Sequence, residues 1–62
     1  MVFFVQIGNG ALVQVCGMKK AIARAKHLLL KRENRDKVPY LITAHDAAEA
    51  HGGWGTKRQL KL

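Results

Sequence analysis

Val2-Phe3-Phe4-Val5-Gln6-Ile7, then Gly8-Asn9-Gly10, then Ala11-Leu12-Val13-Gln14-Val15-Cys16, is the stretch on which the reading of the fold turns. Two runs rich in β-branched and aromatic residues flank a glycine-asparagine-glycine loop, the pattern of a β-hairpin. The register follows from the faces. With all three loop residues outside the ladder, Ile7 pairs with Ala11 and Val5 with Val13. Phe3, Val5, Ile7, Ala11, Val13 and Val15 then share a wholly apolar face. A two-residue Asn-Gly turn would mix Gln6 with Val13 and Gln14 with Val5, and a slip of one residue exchanges core for solvent. The three-residue loop is therefore preferred, with Gly10 in the left-handed conformation that such loops use.

Outward from the hairpin, Met18, Ala21, Ile22, Ala25, Leu28 and Leu29 recur at the i, i+3, i+4, i+7 spacing of one helical face. This predicts a helix from Met18 to about Asn34, with Gly17 as its N-cap and an exit ahead of Pro39. Tyr40–Ala44 reads as a third strand, and Pro39 places its start at a strand beginning or an edge. Asp46-Ala47-Ala48-Glu49 has the side chains of an acidic capping box and Gly52-Gly53 a glycine stop, which predicts a short second helix at 47–51, with a hairpin loop as the alternative. Trp54–Leu62 reads as either a fourth strand or a disordered tail. The fold class predicted is α+β: an N-terminal β-hairpin and one amphipathic helix packed on a three-stranded, mostly antiparallel sheet, with a short second helix and a C-terminal strand or tail as options.

A chain of 62 residues supports one domain, so residues 1–62 are read as a single unit in which 55–62 is either ordered or a flexible basic tail. Chains this short gain support from disulfides, a metal, self-association or a partner. Cys16 stands alone, which removes an internal disulfide and, with no signal-peptide architecture, points to a reducing, cytoplasmic setting. The apolar stretch Val2–Ile7 is far too short to span a bilayer, so no membrane partner is expected. The Cys16 thiol is expected to behave as a small buried or half-buried apolar group.

Charge is the loudest functional feature, with 11 Lys and Arg against 4 Asp and Glu for a formal +7. It is segregated. Residues 1–18 carry no charged side chain, whereas residues 19–37 hold eight basic and two acidic ones. Within the helix, Lys20, Arg24, His27 and Lys31 are spaced i, i+4, i+7, i+11 and form one stripe opposite Met18, Ile22 and Leu29. Such a stripe meets phosphates along a groove or a row of carboxylates on a protein, or simply serves as the solvated face of an amphipathic helix. Lys19 and Lys20 sit in the first turn, where cations oppose the macrodipole. With Gly17 permitting close approach, Gly17, Lys19 and Lys20 form a candidate anion site. Lys57, Arg58 and Lys61 would extend the basic footprint.

The second sheet face carries Val2, Phe4, Leu12 and Cys16 beside Gln6 and Gln14. That is too apolar to stand exposed, and three covers compete: the Trp54 segment, a second copy of the chain in a homodimer, or a partner. An RNA-stacking sheet would interleave several aromatics with basic residues, which this face does not. Phe4, Leu12, Leu30 and Trp54 are the candidate apolar interface residues, Leu30 because it projects away from the core face of the helix.

Catalytic and metal chemistry have weak candidates. His45 and His51 are six apart, outside the usual zinc spacings, and no nucleophile stands with a local base and orienting group. No cofactor is implied. Zinc-finger, RRM, KH and helix-turn-helix signatures are absent from the sequence. The expectation is a small non-enzymatic binding protein that contacts nucleic acid through phosphates. The alternative is an inhibitor or adaptor, in the style of small phage and mobile-element proteins, docking its basic face on an acidic protein surface.

Overall fold

A computed structural model describes all 62 residues. The chain forms β1 (Val2–Ile7), β2 (Val13–Val15), α1 (Met18–Leu29), a 3-10 turn at Arg32–Asn34, β3 (Pro39–Ala44), α2 (Ala47–His51) and β4 (Thr56–Gln59). The strands build one antiparallel sheet in the order β2-β1-β3-β4, so the C-terminal segment is a fourth strand and not a free tail. Leu60 continues the attachment, its N–H donating to the Pro39 carbonyl at 2.9 Å.

The hairpin has the register that face segregation demands: Phe3 opposite Val15, Phe4 opposite Gln14 and Val5 opposite Val13. Its loop differs from the expectation. Gly10 is not left-handed; Gly8 is, at φ 59°, and the Gly10 N–H donates to the Ile7 carbonyl at 3.0 Å. The turn thus closes from Ile7 to Gly10 with Gly8 at its first central position, where a positive φ favours glycine. Gln6 Nε2 pins the loop by donating to the Gly10 carbonyl at 2.8 Å. As a result β2 pairs only from Val13 to Val15, and Ala11 and Cys16 lie exposed outside the ladder. The Cys16 thiol is therefore not the buried apolar group expected of it.

Both faces of the sheet are covered. α1 lies on the face of Val5, Ile7 and Leu41, where Ala21 and Ala25 are fully buried and Phe3, Val15, Leu28, Leu29 and Leu60 close the rim. Two alanines at the contact let the helix approach the sheet closely. Met18, placed in the core face by periodicity, is half exposed at the helix start. The helix also ends earlier than Asn34. Lys31 turns to extended geometry at ψ 136°, and Asn34 Nδ2 donates to the Leu28 carbonyl at 2.9 Å, which also accepts the Lys31 N–H at 3.2 Å, so the helix end is tied down twice at one acceptor.

On the opposite face Phe4, Ile42, Ala44 and Ala50 form a second core, with Val2 and Leu12 packed against it. The cover is α2. Trp54 does not supply it, being 79% exposed. Five residues of helix hold their place because both ends are capped. Asp46 Oδ1 accepts from the Glu49 N–H at 2.6 Å, and Glu49 Oε2 accepts from the His45 N–H at 2.9 Å. At the other end Gly53 N–H donates to Ala50 and Trp54 N–H to Glu49, at 3.2 and 3.0 Å, the paired bonds of a Schellman motif. The His51 ring completes the lid, edge-on to Phe4 with centroids 5.4 Å apart.

Candidate functional site

The basic stripe is built by α1, and the fold decides where it points. Because Ala21 and Ala25 face the sheet, Lys20, Arg24 and His27 fall on the flank toward β2, where with Ala23 they line an open groove beside Val13, Gln14 and Val15. Lys31 carries the line past the helix end, into a second recess with Glu33, Asn34 and Lys37. All four side chains are exposed. At 1.5 Å per residue, Lys20 to His27 spans about 10.5 Å.

Lys19 and Lys26, both exposed, belong to another line. At about 100° per residue they stand roughly 130° around the helix from Lys20, Arg24 and Lys31. Between the two lines lies the outermost surface of the helix, carrying Ala23 and Leu30, the latter 77% exposed, with His27 where this surface meets the β2-side line. The spacing that defines the stripe does not select Lys26. Its i+7 spacing from Lys19 marks it once the direction of the buried alanine pair is known.

The positive charge of α1 is uncompensated within the helix. α1 contains no acidic residue, Asp46 and Glu49 are used at the start of α2, and Glu33 lies past the helix end in the recess of Lys31 and Lys37. None of the four side-chain hydrogen bonds involves a lysine or arginine. Gly17 is the N-cap of α1 at φ 103° and ψ 169°, with no side chain capping the helix and no acid in its first turn. Lys19 and Lys20 diverge from this point onto the two lines.

The remaining candidates are dispersed. Arg58 pairs with Leu41 and lies on the α1 side of the sheet, near Phe3, Met18 and Thr56, at the edge opposite β2. Three strand spacings, roughly 14 Å, separate β4 from β2. Lys57 pairs with Ile42 and lies on the other face, its Nζ 4.3 Å from the centre of the Tyr40 ring. This contact depends on the β4 register, which the sequence leaves open. Lys61 follows β4 and is exposed.

The apolar interface set does not assemble. Phe4 is 3% exposed, a core residue under α2, so it is no anchor for a partner: Ala50 and His51 of α2 cover the face that would otherwise have bared it. Leu12 is half-buried against the same core. Leu30 lies at the end of α1 and Trp54 after α2, on opposite sides of the sheet.

No helix is long and apolar enough to cross a membrane. No protein-family model, curated protein or solved structure matches the chain.

Proposed function

We propose that this protein is a non-catalytic nucleic-acid-binding module that engages phosphates through α1, in a reducing, cytoplasmic setting compatible with its exposed thiol. The observation that carries this reading is a twelve-residue helix without a single acid, bearing Lys19, Lys20, Arg24 and Lys26 on its exposed surface, with Lys31 next in line. Stability alone would disfavour the arrangement. Two lysines in the first turn oppose the helix dipole at about 0.3–1 kcal/mol each, and no neighbouring carboxylate offsets them. A polyanionic partner supplies the missing counter-charge. Because lysine contacts position a protein without reading bases, sequence preference is weak.

The test is fluorescence anisotropy with random duplex DNA, single-stranded DNA and structured RNA at about 50 and 200 mM salt. Saturable binding that weakens steeply with salt and disappears in a Lys20→Glu, Arg24→Glu, Lys31→Glu variant supports the proposal. Absence of binding at the lower salt overturns it and directs attention to acidic protein surfaces. That second reading has Leu30 and Trp54 as its exposed apolar contacts, on separate sides of the molecule.

A further inference from the structure

Resting on that phosphate-binding reading, we infer that the ligand is B-form duplex DNA and that α1 lies in its major groove. Three features of the helix surface converge. First, the cations form two lines and not one: Lys20, Arg24 and Lys31 on the β2 flank, Lys19 and Lys26 about 130° away. A helix with side chains is about 10–12 Å across, and the major groove is about 12 Å wide with a phosphate backbone on either side. Two lines of cations suit two backbones. A single strand, or a flat acidic surface, needs only one.

Second, the surface between the lines is small and uncharged. Ala23 stands at its middle and leaves the helix free to descend, and His27 beside it offers a ring nitrogen to a base edge or phosphate. Third, Leu30 is 77% exposed on this same surface, at the C-cap of α1, still in helical geometry at φ −68° and ψ −22°. A bare leucine has no use against a phosphate, but in the major groove it meets the methyl group of thymine. Nothing in the fold obstructs the approach, because α1 is the outermost layer on its side of the sheet. A second copy is an unsuitable occupant, since it would set two positive helices against each other with +7 on each chain.

The experiment compares three ligands of equal length and sequence at one salt concentration: duplex DNA, its single strand, and the corresponding duplex RNA, whose major groove is too deep and narrow for a helix. Binding to duplex DNA at least tenfold tighter than to either of the others is expected. A fourth ligand, a DNA duplex whose cytosines carry a bulky 5-substituent projecting into the major groove, should lose that advantage. The Ala23→Trp variant, whose exposed site leaves folding intact by circular dichroism, should bind duplex DNA at least tenfold more weakly while its affinity for the single strand stays unchanged. Equal affinity for all ligands overturns the groove and leaves the phosphate reading standing. So does an unaffected modified duplex. Binding to none of them overturns both.

Discussion

Neutralising the β2-side line offers the sharpest test of how this surface works. Lys19, Lys20, Arg24, Lys26 and Lys31 are five exposed cations that α1 and its exit present to a ligand. If each neutralises one phosphate, log K falls against log salt with a slope of about −4.5, or about 500-fold in affinity between 50 and 200 mM salt. The combined substitution Lys20→Gln, Arg24→Gln and Lys31→Gln removes three contacts, leaving a slope of about −1.8 and a loss of only about 12-fold over the same range. Stability should not suffer. All three side chains are exposed and none donates a side-chain hydrogen bond, and removing the first-turn Lys20 relieves an unfavourable term of about 0.3–1 kcal/mol. The assay is an anisotropy titration at four or more salt concentrations, beside a thermal melt of each protein. Lys57→Gln serves as the control, because its ammonium lies over Tyr40 on the opposite face and should leave the slope unaltered. An unchanged slope in the triple variant, or a shift in Lys57→Gln as large as one phosphate, refutes the assignment of the surface.

The other predictions concern the scaffold. Phe4→Ala should cost about 3–5 kcal/mol by emptying the core under α2, enough to unfold a chain of this size, whereas Trp54→Ala, at a side chain 79% exposed, should stay within about 0.5 kcal/mol; chemical denaturation separates them. Gly17→Ala should destabilise by about 1–3 kcal/mol, because φ 103° with ψ 169° is a region reserved for glycine, even though a methyl group there would meet no atom within 4 Å. A neutral result would place Gly17 in another conformation in solution. Asp46→Ala removes the cap of α2 and should lower stability by about 1 kcal/mol, read as a fall in Tm of about 4–8 °C.

How much of this was legible beforehand depends on the range of the physics involved. The hairpin register was readable because alternation has a period of two, so that only pairings of one parity put Phe3, Val5 and Ile7 on a face with Val13 and Val15, and among these the short Gly8-Asn9-Gly10 loop selects Val5 opposite Val13. The glycine that turns the loop was not, since Gly8 and Gly10 are chemically identical and the choice depends on which carbonyl the turn closes upon. The second helix was readable from Asp46 and Glu49 at one end and Gly52-Gly53 at the other, because caps act through bonds to residues within a few positions. The helix end at Leu29 was overshot because it is set by Lys31 turning extended and by Asn34 reaching back to Leu28, neither of which alters the apolar period.

The basic stripe shows the same division. Sequence alone determined that Lys20, Arg24, His27 and Lys31 share one side of a helix and that Leu30 points away from the core, because helical spacing is local and periodic; a helix reaching Asn34 would include Glu33, so its lack of acids follows only from its end at Leu29. Tertiary structure decided which direction that side faces. Packing through Ala21 and Ala25 rotates the stripe toward β2 and sets Lys19 and Lys26 on the far flank, with Ala23 and Leu30 bared between them. It also placed Lys57 over Tyr40 and Phe4 beneath α2, since both positions follow from strand pairing between residues far apart in the chain. Periodicity orders side chains around an element, but only the contact between elements fixes which of them meet solvent.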